Sequence, residues 1–510
     1  MSRPNQRASG STPASGPVRV FSVDYTPDLA AQPAADTLPL TAALVLSEVP
    51  PSFVLGGFAA AAGSGSASAA AAAPAVGDQS DQAVSADVAR SRYNLTGAGI
   101  RVGILSDSFN VLGGAAADVA AGNLPAGGVQ VLAEGPAGSH DEGRAMAELI
   151  HQIAPGATLL FHTATAGEAS FAAGINALVA AGCNVIVDDV AYLNEPFFQQ
   201  GGPIDAAVQN AIAAGVSYFT AAGNQGNDYI QRPFAALHLA LPGLPAGAAV
   251  QDFGSVAAPQ PWLDVSIPAG GRAMFDLQWN QPYADSASSL GLALFDGGGN
   301  LLATASTDTV GGTPDQILSW TNTAGVTGLR LVLYMNGGTA PPGLFKLIAY
   351  GNGSIDSPYA GSGSGSVIGH QMVPGANTVG AMAWSASPRF GGSNTPEGFS
   401  SVGTGSFLLA PNGTPLAAPQ STQKVEFLAP DGSMTSVLAP FYGTSAAAAN
   451  AAGVAALVAQ ADPALTPAEM TQVLETTAAP ALGGSLATGA GLLDASAAVQ
   501  MALSLAHGTG

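Results

Sequence analysis

Residues 441–457 read Phe-Tyr-Gly-Thr-Ser-Ala-Ala-Ala-Ala-Asn-Ala-Ala-Gly-Val-Ala-Ala-Leu, a Gly-Thr-Ser turn opening a long alanine-rich helix. Alanine favours helix, and its small side chain lets the backbone approach a sheet closely. Ser445 then sits at a helix N-terminus, where unpaired N–H groups and the positive dipole end favour developing negative charge. That place suits an acyl-transfer nucleophile whose own N–H helps to hold an oxyanion. It equally suits an ordinary helix start, where Thr or Ser caps the first turn. The segment alone leaves both readings open.

The elements able to position such a serine follow from the texture of the chain. Ile100–Leu105 is a short apolar run that reads as a buried strand, and Asp141–Ile153 is helical in pattern. Strands at Thr158–Phe161, Asn184–Val187 and Val216–Thr220 then alternate with helices at Phe171–Ala181 and Ile204–Ala214. Strands alternating with helices of about ten residues predict a parallel α/β sheet. From Phe253 to Tyr350 the period changes to two, as in Leu263, Val265 and Ile267 or Phe275, Leu277 and Trp279. Asp296-Gly-Gly-Gly-Asn300 marks a turn between such runs, so this stretch predicts an antiparallel β-sandwich. Gly353–Ser366 is a Gly/Ser-rich linker, after which the α/β texture returns. The expected organisation is a low-complexity extension over 1–85 (a propeptide, a tether or a plain tail), an α/β domain in two parts, 86–235 and 366–503, and a β-sandwich inserted at 250–352.

Composition narrows the functions available. The 510 residues carry 13 Lys+Arg against 34 Asp+Glu, a formal charge of 13 − 34 = −21. Such a chain lacks the clustered cations that phosphate contacts need, which argues against nucleic acid and against an anionic membrane surface. Hydrophobic residues at 47% allow a large core. The single cysteine, Cys183, excludes an internal disulfide framework and a cysteine-based zinc cluster. No clean apolar stretch of about 18 residues is present, since Thr41–Ala62 is interrupted by Glu48, Pro50, Pro51, Gly56 and Gly57. The start of the chain lacks the apolar run of an ordinary secretory signal.

With those residues in view, a family resemblance is plain. Gly443-Thr-Ser445-Ala-Ala-Ala resembles the Gly-Thr-Ser-x-Ala-x-Pro motif of the subtilisin-like serine proteases, the subtilases. Thr96–Asp107 resembles their first catalytic strand, which ends in the triad aspartate, and Ile153-Ala-Pro-Gly-Ala157 their turn after the catalytic helix. Tyr218-Phe-Thr-Ala-Ala-Gly-Asn224 resembles the strand ending in the oxyanion-hole asparagine. Phe399-Ser-Ser-Val-Gly403 and Gly489–Asp494 resemble later landmarks. Six segments in the correct order imply a subtilisin-like parallel sheet flanked by helices. They also imply a serine endopeptidase with protein or peptide substrates, Ser445 as nucleophile, Asp107 in the triad and Asn224 in the oxyanion hole.

The resemblance breaks at the base. The helix that opens with His-Gly-Thr in subtilases here reads Ser139-His-Asp-Glu-Gly-Arg-Ala-Met146, which puts Glu142 in the histidine position and Arg144 at the threonine. His507-Gly-Thr spells the motif but follows the serine and ends the chain, a coincidence. A glutamate can accept the hydroxyl proton when burial or a neighbouring anion raises its pKa, and Asp107 would be such a neighbour. Serine-carboxyl peptidases, the sedolisins, work this way. Yet their helix aspartate, four residues after the glutamate, is Met146 here, and their oxyanion aspartate is Asn224. His140 is the rival base; two residues from Glu142, it cannot share a helical face with it. The third possibility is a fold retained for binding or adhesion, in which neither residue acts.

Asp188 and Asp189 end a strand aligned with the substrate-binding strand of subtilases, and read as a polar cleft floor or as a solvated strand end. Glu195-Pro-Phe197-Phe198 reads as a hydrophobic lip of that cleft or as plain core. No cofactor is required and no metal ligands are readable, although the resemblance allows a structural calcium ion. It also implies an extracellular or cell-surface location. Oligomeric state is not legible.

Overall fold

A computed structural model describes residues 76–508 and one short strand, Ala43–Val45. The rest of the predicted extension lies outside the described residues. At the described end of that extension Gln79–Ala83 is helical, and the Ser80 hydroxyl meets that of Ser433 at 2.6 Å.

Seven parallel strands make the central sheet, in the order Phe427–Asp431, Asn377–Ala383, Ser217–Ala221, Val185–Asp188, Arg101–Ser106, Thr158–Thr163 and Gln130–Ala133. Strands buried on both faces read as continuous apolar runs, which is why the branched segments of the sequence became these elements. Alternation along each strand divides the core in two. Val102, Ile104, Val185, Val187, Phe219 and Ala221 face the cluster built by helices Glu142–Ile153, Thr444–Ala461 and Ala495–Gly508. Leu105, Leu160, Ile186 and Tyr218 face the opposite cluster, under helices Glu168–Ala180 and Pro203–Ala213.

Between Ala221 and Asn377 the chain builds two antiparallel sheets. One orders Asp315–Thr321, Arg272–Trp279, Phe345–Gly351 and Tyr229–Arg232, and the other is centred on Leu329–Gly338. They share a core of alternate residues that includes Leu263, Val265, Phe275, Leu277, Leu331 and Leu333. The fold is therefore a helix-flanked parallel sheet carrying an inserted β-sandwich. Phe197 and Phe198 correct the lip reading: both are buried, packed with Met274, Ile348 and Tyr350 of the insertion. Gln278 fixes that junction by accepting from Phe197 N (3.0 Å) and donating to the carbonyls of Leu193 (2.9 Å) and Glu195 (3.0 Å). No described helix is long and apolar enough to cross a membrane.

Candidate active site

Asp107 follows the last residue of strand Arg101–Ser106 and is buried. Its carboxylate accepts the backbone N–H of His140 (2.6 Å), of Glu142 (2.9 Å) and of its neighbour Ser108. Unpaired N–H groups at a helix start are anion sites, and a carboxylate from the adjacent strand fills this one. The helix begins at Glu142, after Asp141 in a left-handed conformation (φ 58°). Asp141 holds that turn by accepting from Ser108 Oγ (2.9 Å), Val111 N (2.7 Å) and Leu112 N (3.0 Å). Position 143 has to be glycine, because a Cβ on Gly143 would lie 2.8 Å from the Ser108 carbonyl and against the Phe161 ring.

The two candidate bases differ in setting. Glu142 is buried and His140 is exposed, in the loop before the helix. Arg144 does not turn toward the site: it pairs with Asp118 and Asp141, both at 3.1 Å. Met146 lies in the apolar core.

Ser445 is the second residue of helix Thr444–Ala461 and is fully buried. Asn224 is locked beside it: its Oδ1 accepts from both Thr444 N and Thr444 Oγ1 at 3.0 Å, and Thr444 Oγ1 in turn accepts from Gly223 N at 3.0 Å. Thr444 thus fixes which way round the Asn224 amide stands. Thr444 was missed by sequence reasoning as a site residue, although it stands in the Gly-Thr-Ser turn. Ala449 and Asn450 lie one turn on, and Asn450 donates to Pro430 O (2.8 Å), tying the helix to the neighbouring strand.

Asp188 and Asp189 are both fully buried, so neither is a solvated strand end. They point to opposite faces. Asp188 shares the side of Ile186, where it accepts from Thr220 Oγ1 (2.9 Å) and meets His370 Nε2 (3.1 Å). The other ring nitrogen of His370 meets Glu195 Oε2 at 2.8 Å. Burial works against a charged ring, but the Glu195 and Asp188 carboxylates outweigh it and hold His370 well above the usual histidine range. Asp188 is thus committed to an internal ion pair and offers nothing to a cleft. Asp189 shares the side of Val187 and hence of Glu142. Beyond it, Val190–Tyr192 is a strand edge on which Ala43–Val45 lies antiparallel, with Leu44 opposite Ala191. Among the described residues no group of three or more His, Cys, Asp and Glu could hold a metal ion.

A family model described as the Subtilase family matches residues 119–495, well over half of the chain. The chain belongs to the subtilase family. Membership makes it a serine peptidase, acting on protein or peptide. No curated protein sequence matches it. Among solved structures it is similar to the CspB protease of Clostridium perfringens (14% identity, 83% of this chain and 97% of that one, TM-score 0.48). It is also similar to fervidolysin from Fervidobacterium pennivorans, described as a keratinolytic enzyme related to subtilisin (16%, 82% and 45%, TM-score 0.39). A third is MycP1 from Mycobacterium smegmatis (16%, 93% and 94%, TM-score 0.37).

Proposed function

We propose that this subtilase is an endopeptidase that works through an acyl-enzyme on Ser445 with Glu142 as general base. The observation that carries the reading is the Asn224–Thr444 pair, which fixes a side-chain amide beside a serine at a helix start. Ser445 Oγ attacks the peptide carbonyl carbon while its proton passes to the Glu142 carboxylate. The oxyanion takes hydrogen bonds from Asn224 Nδ2 and the Ser445 N–H. As the C–N bond breaks, Glu142 returns the proton to the leaving amine; water then repeats the sequence on the ester. Asp107 serves by holding the backbone of His140 and Glu142, which sets where the base stands. His140, being exposed and outside the helix, is the weaker candidate.

A substrate would enter as a strand added along Val190–Tyr192. The chain's own Ala43–Val45 lies there, so its release precedes substrate entry. The low content of cations and the lone buried cysteine fit an extracellular or cell-surface setting.

Fluorophosphonate labelling of folded, processed protein from about pH 4 to 9, spanning carboxylate and histidine titration, tests this. Labelling of the wild type that disappears in both Ser445→Ala and Glu142→Gln is expected. Labelling that survives Glu142→Gln and is lost in His140→Ala moves the base to His140. No labelling of the wild type at any pH would leave a binding protein on a protease fold.

A further inference from the structure

The strand register places one more carboxyl group in this site. Val102, Gly103, Ile104 and Leu105 pair in parallel with Val185, Ile186, Val187 and Asp188. The next step along both strands sets Ser106 beside Asp189, on the face of Val187, where helices Glu142–Ile153 and Thr444–Ala461 pack. Asp189 is completely enclosed, with the Glu142 and Ser106 side chains as its polar neighbours. An enclosed carboxylate in that condition is costly, so the group keeps its proton. Burial pushes it up to about 8; Glu142 and Ser106 lie close enough to oppose the shift, and the charges of Asp107 and Asp188 add to it. Arg144, on the same helix as Glu142, is spent on Asp118 and Asp141.

We propose that Asp189 is a positioning residue for Glu142, a carboxyl group on the strand floor that holds one proton against the glutamate and sets its orientation. The proposal rests on the reading of Glu142 as base. Before reaction the pair holds a single proton, on Asp189. The proton from Ser445 Oγ makes it two, with the new one on Glu142. That second proton leaves with the amine, and Asp189 keeps its own throughout. Two carboxyl groups in one dry site cannot both ionise at moderate pH, so the pair titrates as a unit. The role that Asp188 and Asp189 shared as a cleft floor is divided: one belongs to the His370 ion pair and the other to the base.

The test is the pH profile of labelling and of peptide turnover in wild type, Asp189→Asn, Ser106→Ala and Glu142→Gln. In wild type the loss of the last shared proton gives an alkaline limb near pH 8. Asparagine keeps a donor but cannot ionise, so Asp189→Asn should retain activity within about tenfold at neutral pH and lose that limb. Ser106→Ala removes a hydroxyl that favours the ionised form and should move the limb to higher pH. This second variant leaves the carboxyl in place and guards against a misfolded Asp189→Asn. A limb unchanged in both variants, or activity lowered equally at every pH, overturns the role of Asp189 while Glu142→Gln remains inactive. An active Glu142→Gln overturns the base assignment itself.

Discussion

At the scale of single residues, the site depends on polar groups whose orientation is fixed by a neighbour. Asn224 is the clearest case, because Thr444 takes its oxygen end by two bonds. Asn224→Ala removes the proposed oxyanion donor and is expected to lower kcat by about 10²–10³ with little change in KM. Steady-state kinetics on a peptide substrate checks it, and equal kcat values would remove Asn224 from the mechanism. Local residues of this kind were legible in the sequence, since Gly-Thr-Ser445 and Ala-Ala-Gly-Asn224 carry their signal within a few positions. The fate of Asp188 was not. Its partner His370 lies 182 positions away, and nothing local to either residue announces the pairing. The same holds for Phe197 and Phe198, whose cover comes from the insertion rather than from their own surroundings.

At the scale of elements, the spacing between Glu142 and Ser445 is set by a helix–helix contact. The serine helix, Thr444–Ala461, packs against Glu142–Ile153 through small residues. A Cβ on Gly453 would come within 2.9 Å of the Ile153 Cβ. Gly453→Val therefore forces the two helices apart. It is expected to cost about 1–3 kcal/mol of stability and to slow fluorophosphonate labelling as Ser445 and Glu142 separate. Urea unfolding and labelling rates read the two effects independently. A variant of wild-type stability and labelling rate would mean that the contact is not tight. The run of alanines made the close approach predictable, and the matching of the α/β strands and helices within three residues of expectation follows from strong periodicity. Which helix would be approached depends on sheet topology and was not readable from the alanines.

At the scale of the whole molecule, buried acids set how stability varies with pH. Burial pushes Glu148 up to about 7, against the opposing bonds from Ser436, and Asp205 also up to about 7. Folded, each binds its proton more tightly than the unfolded chain does. Their contribution is therefore complete below the ordinary carboxylate range near 4 and is lost as pH rises through about 7. His370, with a raised value, acts in the same direction above the usual histidine range. Lys346, pushed down to about 7 by burial, acts oppositely but only from about pH 7 upward. Calorimetry on Ser445→Ala protein, which cannot digest itself, should show Tm lower at pH 7.5 than at pH 5 by about 5 °C or more. A Tm that rises over that interval would show these acids to be ionised in the folded state.

The adjacency of Ser217–Ala221 and Asn377–Ala383 in the central sheet also governs how the protein can assemble. Everything from 222 to 376 must be looped out before those two strands can meet. The insertion brings its own ends together, since Tyr229–Arg232 pairs directly with Phe345–Gly351. Once that pairing exists, the loop to be closed shrinks about fivefold, which lowers its entropic cost by roughly 1.5 kcal/mol. The β-sandwich thus acts as a clasp during assembly, and weakening its core with Leu277→Ala should slow refolding of the catalytic sheet as well as hasten its loss. Stopped-flow refolding that is unchanged by Leu277→Ala would place closure of the catalytic sheet before the insertion. Ser445 and Asp107 lie on opposite sides of that loop in the sequence, so the site they share under the proposed function forms only after the insertion has taken up the slack between them.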